Sequence, residues 1–232
     1  MGVWQVDSWI GNCPGADAYV WRYLTFDRFK YLWQGRLYMR RLDCLEMDDQ
    51  EGRWPEGVEQ LMFNPPVEDQ AGMKQALEDQ RRLTFVSCWT VRHREQRRMW
   101  QEYVGPRGGV AVRTRFRDLR SSLDGAGWDV AIGGVRYVDR IDRAWVGRHP
   151  RTNTFVLSFQ KRCQYSWEQE VRVAQQLSDV DDAEVGRSIS IDLHLLQPTL
   201  VVSRDLDASE TEWVRSVSRL VAGTQVVESQ VA

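Results

Sequence analysis

The chain has 232 residues, 42% hydrophobic and 28% charged, which suits one full core and leaves no room for several large domains. A formal net charge of -2 excludes a global pull toward nucleic acid or an acidic membrane, so any anion site has to be local. The start is not basic, no apolar run is long enough to cross a bilayer, and the four cysteines are dispersed, which together read as a cytoplasmic chain with reduced thiols.

Residues 1–17 read as an irregular N-terminal segment with a turn cluster at 11–15, and 18–232 as a single α+β domain. A first strand is expected over 18–23. A helix follows over 25–35, capped by Thr25, with Phe26, Phe29, Leu32 and Trp33 on one face and Gly35 as its stop. The segment 36–42 alternates as a strand, 46–57 is an acidic loop, and 66–83 begins near Pro66 and carries Met73, Ala76 and Leu77 on one side of a helix. A β-branched and aromatic strand is expected at 84–90. A short helix over 92–103 then puts Met99, Trp100 and Tyr103 on one face, and Gly105-Pro106 ends it.

Further strands are expected at 108–116, 134–141, 167–174, 188–193, 198–203 and 224–231, with a helix at 152–163. The last helix carries a capping box, Ser209-x-x-Glu212, an apolar stripe through Trp213, Val214, Val217, Leu220 and Val221, and a closing Gly223. No regular βαβ rhythm appears, so the expected sheets are mixed or antiparallel with about five helices. The 11 tryptophans point to an aromatic core, although such rings also stack bases.

Four constellations could carry chemistry. Lys161-Arg162-x-x-Tyr165-x-x-Glu168-x-Glu170-x-Arg172 places Glu168, Glu170 and Arg172 on one face of a strand. This is either a solvent-facing charge ladder or a paired-carboxylate site that orients a sugar hydroxyl and stabilises a cationic transition state. Trp100 and Tyr103 share a helix face, as core or as the edge of a pocket. Arg92, His93, Arg94, Arg97 and Arg98, followed by Arg113, Arg115 and Arg117, form either a solvated face or a phosphate or nucleic-acid surface. Arg22, set between aromatic neighbours, is either a clamp at the core edge or an anion ligand. Metal-ligand spacing, a Ser-His-Asp arrangement and a phosphate-cradling glycine loop are all missing, so no metal is expected.

In order and spacing these landmarks resemble a bacterial family known as domain of unknown function 2971. The resemblance runs through W-R-Y and F-x-x-L-x-x-G-x-L-Y near the start and D-x-x-E-G at 48–52. It continues through V-S-C-W, M-W-x-x-Y, G-V-A-V-R-T, V-x-Y-V-D at 135–139 and K-R-x-x-Y-x-x-E-x-E-x-R, covering about residues 18–205, with a departure at 63–66. It implies a bacterial or phage protein set among defence genes. More distantly the layout looks like that of ADP-ribosyltransferases, which place an arginine on a first strand, a Ser or Tyr element in the middle and a glutamate on a late strand.

That likeness implies NAD as cosubstrate and a nucleotide or protein acceptor as partner. Arg22 would hold the diphosphate, Ser87 or Tyr103 would form the middle element, and Tyr103 or Trp100 would pack on nicotinamide. Glu170 would bind a ribose hydroxyl, and Glu168 would orient the acceptor. Three readings follow: an NAD-consuming transferase or glycohydrolase, a non-enzymatic interaction or sensor protein, and a nucleic-acid-binding or nuclease module using Arg94, Arg97, Arg98 and Arg113, which the overall charge disfavours.

Overall fold

The computed structural model describes residues 3–5, 13–45, 51–53, 67–124, 129–138 and 154–232. In chain order it forms β1 (Val3–Gln5), β2 (Tyr19–Thr25), α1 (Phe26–Trp33), β3 (Arg36–Arg41), α2 (Val67–Leu83) and β4 (Thr84–Val91). Then come α3 (Arg97–Tyr103), β5 (Gly109–Arg115), α4 (Phe116–Asp124), β6 (Val130–Gly134) and β7 (Arg136–Tyr137). The last third holds β8 (Gln160–Lys161), β9 (Glu170–Gln176), β10 (Gly186–Ser190), α5 (Leu193–Leu196), β11 (Thr199–Val202), α6 (Ala208–Ser218) and β12 (Gln225–Glu228). Tight 3-10 turns occupy Leu42–Cys44, Thr154–Phe159 and Cys163–Glu168. The fold is α+β, as expected.

Ten strands make one mixed sheet, ordered β1-β6-β9-β4-β2-β5-β11-β12, with β3 and β10 branching from β4. The interior pairings are antiparallel, and only the two outer ones, β1 with β6 and β11 with β12, are parallel. The branch decides the site. One end of β4 pairs with β2 through Val91 and Thr90, and the other end pairs with β3 through Val86 and Phe85. Ser87, Cys88 and Trp89 lie where the two arms part, held on their other edge by β9.

Both faces of the sheet are covered. On one, Phe29 and Leu32 of α1 and Phe116, Leu119 and Leu123 of α4 pack on Val110, Val112, Val171 and Val173. On the other, Trp21, Tyr23, Met99, Trp100, Ala111 and Val201 form an aromatic cluster, beside a smaller one of Leu42, Val86, Ala131, Phe159 and Ala174. Burying each large apolar side chain is worth roughly 1.5–3 kcal/mol. α1 ends at Gly35, whose φ of +73° admits a glycine freely and whose N–H donates to the Leu32 carbonyl at 2.9 Å.

Several expectations are corrected. The segment 1–17 is not wholly irregular, because Val3–Gln5 adds a parallel edge strand beside Val130–Ile132. The strand expected at 134–141 is replaced by β6 and the two-residue β7, with 139–141 outside the described residues. The helix expected at 152–163 is a 3-10 turn followed by β8. α4 and α5 went unforeseen, since each hides its few apolar residues among charges or in a single turn. α6 is capped by Asp207, which accepts from the Ser209 N–H at 2.7 Å, so Ser209 is not the cap. In α2 Ala76 is exposed, while the side chains of Met73 and Leu77 lie outside the described residues, as does most of the loop 46–57.

Candidate active site

Where β2 and β3 part, a cavity of about 170 Å³ opens between Arg22, Tyr38 and Arg40 on the two arms and Cys88 and Trp89 of β4, with Tyr103, Glu168 and Glu170 closing it. Arg22 spans the fork. Its Nη2 donates to the Tyr38 carbonyl on β3 at 2.8 Å and its Nη1 donates to Ser87 Oγ on β4, so a side chain replaces the ladder bonds that the parting strands cannot make. The guanidinium also sits 5.8 Å from the Trp89 ring centroid. Burial pulls its pKa down to about 10, with Arg28 adding like-charge repulsion, and it still carries its charge at neutral pH. A guanidinium has five N–H donors, so several remain for a ligand.

The floor is a buried ion cluster. Glu170 Oε1 accepts from Arg172 Nε at 2.6 Å, and its Oε2 accepts from Arg172 Nη2 at 3.1 Å and from Lys161 Nζ at 3.3 Å. Arg172 is fully buried and also touches Ser158 O and the Glu51 carboxylate. Lys161 lies 3.8 Å from Glu51 and 2.7 Å from Glu168 Oε2. Burial raises the Glu170 pKa to about 7, with Glu168 adding to the rise and Lys161 opposing it. Burial works against the Lys161 charge, but Glu170 and Glu168 outweigh it and hold the ammonium above its ordinary value. Burial pushes the Cys88 thiol and the Tyr103 phenol well up, so both stay protonated.

The two glutamates are not equivalent. They do not lie on one strand, because Glu168 closes the 3-10 turn and Gln169 takes a left-handed conformation at φ 45° before β9 begins at Glu170. That kink turns both carboxylates inward, to 2% and 4% exposure, so the solvent-facing ladder is ruled out. Both oxygens of Glu170 are engaged, by two hydrogen bonds from Arg172 and one from Lys161. Glu168 keeps one buried oxygen, Oε1, without a hydrogen-bond partner among the described residues, and Trp89 Nε1 is a buried donor in the same condition. Such atoms in a cavity wall suit a ligand that offers a hydroxyl and an acceptor.

Of the residues singled out in the sequence, Arg22, Tyr103, Glu168 and Glu170 line this one cavity. Ser87 stands behind it, 1% exposed, as the acceptor that orients Arg22. Trp100 does not reach it: the ring packs edge-on against Tyr23 at 5.1 Å, and its Nε1 donates to Glu95 at 3.0 Å. Arg94, Arg97, Arg98 and Arg113 are absent from its lining. Arg98 lies over the Trp167 ring at 3.7 Å and Arg113 over Tyr19 at 4.8 Å, while Arg97 donates to the Val231 carbonyl at 3.2 Å. Sequence reasoning gave no role to Trp89, Cys88, Lys161 or Glu51, and took Arg172 only as the cation on the face of Glu168 and Glu170. All five stood inside the motifs quoted above, but no local signal marked their burial, which depends on partners elsewhere in the chain.

Comparison with models of known families, with curated proteins and with solved structures returned no match to this chain.

Proposed function

We propose that the fork of the sheet binds NAD and that the chain is an NAD-consuming enzyme, a transferase or glycohydrolase of the ADP-ribosyltransferase type. The observation that carries this reading is the convergence of Arg22, Tyr103, Glu168 and Glu170, drawn from three distant segments, on one cavity walled by Trp89. In this reading Arg22 holds the diphosphate with its remaining N–H groups. Trp89 and Tyr103 enclose the nicotinamide and the reacting ribose in a site that excludes water.

Breaking the bond from ribose to nicotinamide leaves positive charge on the sugar. Glu170, fixed by Arg172 and Lys161, offers a preorganised anion to that charge at no cost of reorganisation. Glu168 Oε1, a buried acceptor with no hydrogen-bond partner among the described residues, accepts a hydrogen bond from a ribose hydroxyl. Water or an acceptor side chain then attacks the sugar. The likeness to domain of unknown function 2971, and a role in phage defence, belong to this same proposal.

The test is nicotinamide release and thermal shift with NAD for the wild type beside Glu170→Gln and Glu168→Gln. We expect NAD to stabilise all three, with release falling about 100-fold or more in Glu170→Gln, the scale on which a positioned electrostatic group acts. Glu168→Gln should weaken NAD binding and release together. No stabilisation and no release, from a wild type that unfolds cooperatively, would overturn the reading.

A further inference from the structure

A second cavity, about 460 Å³, adjoins the first and shares the wall formed by Arg22, Arg28, Tyr38 and Arg40. Beyond that wall its lining adds Arg36, Arg187 and Tyr31. β3 supplies the pattern: Arg36, Tyr38 and Arg40 project from one face while Leu37, Met39 and Arg41 are buried on the other. Arg28 comes from α1, and Arg187 comes from β10, which pairs with β3. Five guanidiniums therefore border this cavity, and no carboxylate among the described residues lines it. Arg28 and Arg36 are exposed and form no ion pair with any described residue. Like charges gathered this way repel one another, and an anion between them removes that repulsion.

A dinucleotide with its reacting ribose at Glu170 and its diphosphate at Arg22 would run past the shared wall into this basin. The diphosphate accounts for Arg22 with Arg28 or Arg40. Arg36 and Arg187 line only the outer cavity and lie beyond what a diphosphate needs. The Tyr31 ring, 53% exposed on the rim, is a face on which a base can stack. Arginine forks match phosphate geometry with two parallel bonds each, so a further phosphate beside a base is the anion this lining fits.

We infer that the basin is the subsite for a phosphomonoester on the half of the dinucleotide remote from Glu170, so that the cleft prefers the 2′-phosphorylated dinucleotide, NADP, over NAD. This rests on the nucleotide reading of the adjoining cavity. The experiment is calorimetric titration of NAD, NADP and adenosine 2′,5′-bisphosphate into the wild type, Arg36→Gln, Arg187→Gln and Glu170→Gln, with nicotinamide release measured alongside. Arg36 is exposed at a strand end, so its variant folds even if Arg187→Gln, which also removes a cation stacked 5.7 Å from Phe85, does not.

The expected result is NADP binding about tenfold or more tightly than NAD, with that ratio falling toward one in Arg36→Gln. Equal affinities in the wild type, unchanged by Arg36→Gln, would overturn the subsite even where NAD is bound and cleaved. Adenosine bisphosphate has neither nicotinamide nor the reacting ribose. If it binds, weakens with Arg36→Gln and ignores Glu170→Gln, the subsite stands even where no nicotinamide is ever released. Failure of all three ligands to bind overturns both proposals.

Discussion

Glu170 sits between two cations, Arg172 and Lys161, and away from water, and these influences oppose each other. Burial wins by enough to bring its pKa to about 7, so the carboxylate works only after losing a proton near neutrality. Turnover should therefore rise as pH increases through about 7 and level off above it, and a pH–rate profile that is flat from 5 to 9 would contradict the role given to Glu170. Stability runs the other way. The folded chain holds this proton more tightly than the unfolded chain does, so the group's contribution is complete below its ordinary 4.5 and is lost as pH rises through about 7. Arg172 answers both Glu170 and Glu51 without any exposure of its own. Arg172→Met should cost about 3–5 kcal/mol in urea unfolding, because it strands buried carboxylates. A loss under 1 kcal/mol would mean that water reaches the cluster.

At the scale of elements, the kink before β9 gives the site its shape. A continuous strand from 167 would have set Glu168 and Glu170 in simple alternation, and the left-handed Gln169 lets the 3-10 turn deliver Glu168 to the same cavity from a different direction. Gln169→Gly should be neutral or stabilising by up to about 1 kcal/mol, whereas the β-branched Gln169→Val should destabilise by about 1–2 kcal/mol. Equal effects of the two in chemical denaturation would show that the kink carries no backbone strain. The fork of β4 works together with the kink. β2 and β3 both need β4, each takes one end, and the unpaired middle is where Arg22 bridges and the cavity opens.

Over the whole molecule, the ten-stranded sheet has an antiparallel interior with parallel pairs only at its two edges, and apolar clusters pack on both of its faces around the fork. Among the described residues Cys13, Cys44, Cys88 and Cys163 form no disulfide. The thermal midpoint should accordingly be the same with and without reductant, and a drop of several degrees on reduction would reveal a covalent link. No helix among the described residues is long and apolar enough to cross a membrane. The exposed large apolar side chains, among them Leu195, Leu220 and Val227, come from separate elements.

Periodicity determined much of this in advance. The strands β2, β3, β4, β5, β10 and β11, the helices α1 and α6, and the α+β class follow from local alternation and turn residues, because each of those signals is complete within a dozen neighbouring residues. Arg22, Tyr103, Glu168 and Glu170 could be picked out by residue type and order, and Ser87 and Trp100 were picked out with them. Only the tertiary structure decided that the first four meet while Ser87 turns to Arg22 and Trp100 turns to Glu95. It alone sank the Glu168–Arg172 segment, whose alternation fits an exposed face as well as a buried one, by bringing Lys161 and Glu51 to it. Burial of a charge depends on partners far along the chain, and that is information no local pattern contains.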